Sequence, residues 1–164
     1  MRVFVPATLT MLQRLVDDGL LHALSGTAFA VTYMLREAYA EGDDEELAEV
    51  ALREAALASL RLLAAEQADL PPRRVVLAAE VADATTRPDL DDAVVRLAGP
   101  IAMSDVVAAY VDNAAAESAV LAAVAVVDEA DLGDEDAELT VGDAQDHDLA
   151  WYATQELPFL LELL

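Results

Sequence analysis

The chain has no cysteine and no lysine, and it holds only two histidines and one tryptophan. Without cysteine there is no disulfide framework, no thiol nucleophile and no cysteine-based zinc site, and a reducing compartment fits. Aromatic residues make up 5% of the chain, and six glycines and six prolines are scattered along it. No glycine-rich phosphate loop can be assembled from them. Positive charge is scarce, with nine arginines against 32 acidic residues, for a formal charge of −23. Phosphate backbones and anionic membrane surfaces both demand clustered positive charge. No nucleic-acid partner and no membrane partner is therefore expected. The amino-terminal stretch from Met1 to Thr10 has no long apolar core, which argues against a secretory signal. Residues 114–127 form the longest apolar-looking run. It is interrupted by Glu117 and Ser118 and falls short of the roughly 20 apolar residues of a membrane span. A cytoplasmic location is expected.

A length of 164 residues suits one domain that buries its own core. Its organising stretch is Asp43 to Gln67, free of proline and glycine and rich in strong helix formers. Asp43 followed by Glu46 starts it as a capping box would, and the acids at 43–46 suit the positive end of the helix dipole. Leu47, Val50, Leu57 and Leu60 share one face, while Leu52, Leu62 and Leu63 spill onto others. So narrow a polar side predicts a helix covered by other elements.

Around this spine the pattern predicts a strand at Arg2–Pro6 and a helix capped by Thr8 or Thr10 that stops at Asp18-Gly19. A strand at 27–31 follows, then a short helix from Thr32 to Tyr39 or Ala40. Arg74–Val81 is apolar on both alternations and reads as a strand covered on both faces. Residues 82–92 read as an exposed loop. Strands are expected at 93–98, at 105–112 (with helix as the alternative there) and at 149–153. A helix over 114–128 is expected to be capped by Asn113. Residues 131–148 hold eight acids and little apolar matter, and read as an acidic flexible segment. A last helical turn takes Pro158 in its first turn. The expectation is an α/β or α+β fold: one domain over residues 1–164, with a single mixed sheet of five or six strands packed with helices.

Several stretches resemble a family of small uncharacterised actinobacterial proteins, a domain of unknown function. They are Arg2 to Leu9, Ala28 to Thr32, Tyr39 to Leu47, Arg73 to Val76 and Trp151 to Pro158. The resemblance spans nearly the whole chain. It implies no activity, cofactor or catalytic residue.

The acids Glu37, Glu41, Asp43, Asp44, Glu45 and Glu46 could ligate a hard cation, but they lack the spacing of a calcium loop. Capping and dipole account for acids at a helix start, and no metal site is assigned. His22 and His147 have no histidine or Glu-x-x-His partner, and both read as solvated; Asp143, Asp146 and Asp148 are weak candidate co-ligands for His147. Arginines here read first as ion-pair partners and second as anion holders; Glu49 and Arg53 stand four apart. Trp151 and Tyr152, in a strand, face opposite sides, one toward the core and the other toward a groove or contact. With the apolar Phe159, Leu160 and Leu161, they make the candidate interface. A non-catalytic domain that self-associates or binds a protein partner is the first reading. A small enzyme or ligand-binding protein using Arg36, Glu37, Tyr39 and Glu41 is the second. No cofactor and no catalytic residue are assigned.

Overall fold

A computed structural model describes residues 1–39, 41–67 and 69–164. In chain order the elements are β1 (Arg2–Ala7), α1 (Leu9–Asp18), β2 (Leu20–Leu21), β3 (Thr27–Phe29), α2 (Tyr33–Ala38), α3 (Asp44–Ala65), β4 (Val75–Glu80) and β5 (Ala84–Thr86). They continue with β6 (Val94–Leu97), β7 (Ile101–Ala102), β8 (Val106–Val111), α4 (Glu117–Asp131), α5 (Glu135–Gln145), β9 (Ala150–Tyr152) and α6 (Leu157–Glu162).

Seven strands form the main sheet in the order β5-β6-β3-β1-β4-β8-β9, and β2 with β7 makes a two-stranded sheet. Every pairing is antiparallel. The α/β class holds, but the sheet is larger than the five or six strands expected and is antiparallel rather than mixed. Between Ala78 and Ala79 the pairing with β8 slips, because Ala78 faces Ala108 and Ala79 faces Val106. Val107 is thus left as the extra residue of a bulge.

Alternation along the strands makes two apolar faces. Val3, Val5, Ala7, Val75, Leu77 and Ala109 point to one, where Leu9, Leu12 and Leu15 of α1 and Leu157 and Leu160 of α6 cover them. Phe4, Phe29, Val76 and Ala78 point to the other, against Leu35 of α2 and Leu47, Ala51 and Ala55 of α3. A third cluster joins Leu60 of α3 to Val120, Ala123 and Val127 of α4 and to Val141 and Ala144 of α5. The spine helix is continuous, as expected, but its fully buried stripe is made mostly of Ala51, Ala55, Ala56 and Ser59. Small side chains let α3 lie close on the sheet, and the leucines flank it. Val50, Leu52, Leu57, Leu62 and Leu63 are only half-buried.

Local rules explain most helix starts. Thr8, Thr32 and Asp43 each accept a backbone N–H at the head of α1, α2 and α3. Gly19, at φ 79°, closes α1 in the left-handed conformation that glycine adopts without strain. Residue 40, one of the two expected ends of α2, lies outside the described residues.

Three expectations are corrected, and one pairing was not expected at all. Residues 131–148 are not a loop, since most of them form α5. Asp134 caps it by accepting from Ala137 N, and Glu135, Asp136 and Glu138 sit in its first turn, where the dipole favours them. Ala137, Val141 and Ala144 give it a narrow buried stripe. The stretch 82–92 contains β5, which pairs with β6. Leu20–Leu21 and Ile101–Ala102 pair as a two-residue ribbon that the sequence pattern gives no sign of. Asn113 makes no capping bond, because a short 3-10 turn over Ala114–Ala116 leads into α4 instead.

Candidate functional site

The buried polar centre of the molecule lies where β4 begins and β8 ends. Val75 faces Val111 in the ladder, so Arg74 and Asp112 are the next pair outward. Their backbones extend the ladder, with Asp112 N donating to Arg74 O at 3.1 Å. Arg74 Nε and Nη2 donate to Asp112 Oδ2 and Oδ1, each at 2.8 Å, and Arg74 N donates to Oδ2 at 2.8 Å. Arg74 is 1% exposed and Asp112 is fully enclosed. A pair this deep survives only with its remaining donors satisfied. Nη1 donates to Gln145 Oε1 and Nη2 to His147 O, both at 2.8 Å. Gln145 in turn donates from Nε2 to Arg53 O at 3.2 Å and accepts from Arg53 Nη1 at its own carbonyl at 3.3 Å.

This clamp ties the end of α5 and the 146–149 link to the sheet, and the link delivers β9. A second buried bridge sits nearby. Ser59 Oγ donates to Ala7 O at 2.7 Å and accepts from Val75 N at 3.1 Å, holding the ends of β1 and β4 beneath α3.

β9 is an edge strand. It pairs with β8 through Ala109–Tyr152, Tyr110–Trp151 and Val111–Ala150, and its outer side pairs with no strand among the described residues. Residues directly opposite share a face. Tyr110 lies opposite Val76, which packs under α3, so Tyr110 and Trp151 point to the α3 side. That helix lies over β3, β1 and β4, leaving β8 and β9 at the margin of its cover. Trp151 is accordingly 58% exposed. Tyr152 points the other way and packs against the α1–α6 core.

The apolar carboxyl-terminal stretch divides between core and surface. Leu160 is buried with Leu157 in the core, and Leu161 packs partly against it. Phe159 is 66% exposed, and Leu163 is exposed as well. Leu160 therefore belongs to the fold, whereas Trp151 and Phe159 stand free.

The second candidate set is placed differently. Arg36 forms a bidentate pair with Asp44, at 3.1 Å for both bonds, and both side chains are largely exposed. That guanidinium holds the Asp44 carboxyl below its ordinary value. Glu37, Tyr39 and Glu41 are exposed beside it. None of the five clefts described below is lined by these four residues. Asp43 of the acidic run is engaged in capping Glu46 N at 2.9 Å. No group of three or more His, Asp or Glu side chains is arranged to hold a metal among the described residues.

The most voluminous of the five clefts, about 310 Å³, is lined by Met11, Arg14, Asp18, Leu20, Leu21 and His22. His22 also borders a neighbouring cleft of about 190 Å³ with Gly26, Leu97 and Pro100. A third, next to Leu97 and Pro100, is lined by Glu80, Asp83 and Asp105 as well. A fourth separates α1 from α6, and a small one borders Arg53, Gln145 and Leu149 beside the clamp. Ser25, three residues after His22 in the chain, is the one non-glycine residue at positive φ, 56°, among the described residues. Arg14 makes no salt bridge among the described residues, in contrast to Arg61 with Asp131 and Arg73 with Glu117. Arg53, four residues after Glu49, bonds Gln145 rather than that acid.

A family of unknown function, DUF6912, matches residues 1–161. The chain belongs to the DUF6912 family. No curated protein and no solved structure matches it. The DUF6912 match spans every element from β1 through α5 and β9, so the Arg74–Asp112–Gln145 clamp and the Trp151 edge both lie within it. Sequence reasoning singled out Trp151 but missed the clamp, whose members are 38 and 71 residues apart. The available signal was a charged residue at the start of one apolar strand and an opposite charge at the end of another, with three strands between them in the chain.

Proposed function

We propose that this chain is a non-catalytic protein-interaction domain that binds through the β9 edge and the exposed aromatics near it. The observation that carries the reading is Trp151, the single tryptophan, standing 58% exposed on a strand whose outer edge is unpaired. β9 is short, as protected edges often are, yet Ala150, Trp151 and Tyr152 carry neither the charge nor the proline that also blunts an edge. Tryptophan is among the residues most enriched at interface centres. The clamp anchors the link that leads into the strand, and pairing with β8 fixes the strand's inner side, so partner binding need not place it first.

Light scattering over a concentration series, at low and high salt, tests the self-associating form of this reading. A dimer that Trp151→Asp abolishes while the thermal midpoint is unchanged supports it. A monomer at every concentration and salt removes the self-associating form. Leu160 is unsuitable for this test because its replacement would damage the core.

One observation favours a second reading, a small-ligand protein. The 310 Å³ cleft joins Arg14, which has no salt bridge among the described residues, to His22 over an apolar floor of Met11 and Leu21, with Asp18 as the one carboxylate on its lining. Such a site suits a small anion-bearing molecule. A thermal-shift series with inorganic phosphate and short dicarboxylates, compared between the wild type and Arg14→Ala, tests it: a rise in midpoint seen only with Arg14 present supports the site.

A further inference from the structure

The structure points to the kind of partner the β9 edge takes, an inference that rests on the interaction reading above. We infer that β9 captures an extended, basic segment of another protein as an eighth strand, with arginine or lysine side chains stacked on Trp151.

Three observations converge on this occupant. The first is geometric. β9 offers a free backbone edge next to β8, and strand addition satisfies such an edge with main-chain hydrogen bonds while alternate side chains give selectivity. The second is the aromatic platform. Tyr110 and Trp151 are directly opposite on the α3 side, and an exposed indole face attracts a cation placed over it.

The third is charge. Residues 143–162 carry five carboxylates, on Asp143, Asp146, Asp148, Glu156 and Glu162, and no arginine. All five are exposed. Asp148 stands two residues before β9, and Glu156 folds back on the other end, where its Oε1 accepts from Ala153 N at 3.3 Å. The two arginines that share a cleft with Asp148 and Leu149 are engaged, Arg74 by Asp112 and Arg53 by the carbonyl of Gln145. A second copy of this chain would bring another −23 charges to the same edge; a basic segment meets complementary ones.

The side-chain alternation of an added strand defines its pattern. Positions on the α3 side meet Trp151 and call for arginine or lysine. Positions on the opposite side lie beside Tyr152, which packs on the α1–α6 core, and call for apolar residues.

The test uses the full chain and Trp151 emission, which reports on β9 alone because no other tryptophan is present. The probe is a peptide of alternating valine and arginine, about the length of an ordinary strand. Titrations are run at about 0.15 M salt, where screening over about 8 Å suppresses diffuse attraction. The expected result is a saturable change in emission, matched by calorimetry. The same peptide with glutamate for arginine should give no signal. Methylating the backbone nitrogens of one alternate set should abolish binding while the other set is tolerated. Calorimetry with Trp151→Ser should show affinity lower by about tenfold or more, the scale of a truncated aromatic anchor.

Equal binding by Trp151→Ser, or tolerance of both methylation patterns, would mean adsorption to a negative surface and would overturn the inference. No response to the valine–arginine peptide, with a dimer that Trp151→Asp abolishes, overturns the basic strand and keeps the interaction reading. Silence in both experiments removes the two together.

Discussion

Asp112 answers three donors of Arg74, two from the guanidinium and one from the backbone. Taking away its carboxylate strands a buried cation. Asp112→Ala should cost about 3–5 kcal/mol in urea unfolding. Adding Arg74→Met to that variant should recover part of the loss, because the orphaned charge goes with it. Glu54 presents the opposite case. Burial first, and then the nearby Asp91, push its carboxyl above the ordinary 4.5. The folded state thus holds this proton more tightly than the unfolded chain does. The contribution of Glu54 to stability is full below about pH 4.5 and is lost as pH rises through the folded value, so at neutral pH the ionised side chain is a cost. Glu54→Gln should raise the thermal midpoint at pH 7, by the equivalent of about 0.5 kcal/mol. That advantage should vanish at about pH 4, where Glu54 is already protonated.

At the level of elements, α5 shows how little apolar signal a real helix requires. Its buried stripe is Ala137, Val141 and Ala144, three small side chains in an acidic background, and composition alone reads such a stretch as unstructured. Its start depends on Asp134, so Asp134→Ala should cost about 1 kcal/mol, read in chemical unfolding. Amide exchange should quicken across α5 and the 146–149 link ahead of the sheet. The elements legible in the sequence are those whose signal is local: the caps at Thr8, Thr32 and Asp43, the stop at Gly19, and the long run of α3. Those that were not legible depend on partners far along the chain. β2 and β7 are two residues each and exist only because they meet. β5 borrows its ladder from β6. The contact between Arg74 and Asp112 follows only once β4 and β8 are known to be neighbours in register. Trp151 was legible as a surface candidate because strand alternation sends it and Tyr152 to opposite faces; its place on an edge required the strand order.

For the whole molecule, −23 formal charges repel one another across a small surface. Added salt should therefore stabilise it. The thermal midpoint should climb between about 0.01 M and about 0.15 M, as the screening length falls from about 30 Å to about 8 Å. A midpoint that falls over this range would mean that attractive pairs such as Arg61–Asp131 outweigh the repulsion. The sheet order has a temporal consequence too. β1, the earliest strand of this sheet in the chain, lies in the middle between β3 and β4, so its longest ladder cannot close until residues 75–80 have been synthesised. Growth then proceeds outward to β8, and β9 is the last strand of this sheet to leave the ribosome. Until it arrives, β8 stands bare as the boundary of a six-stranded nascent sheet. Arg74 at that stage holds Asp112 but still waits for Gln145 and His147, so the clamp sets only once α5 and the link after it are in place, just ahead of the final strand.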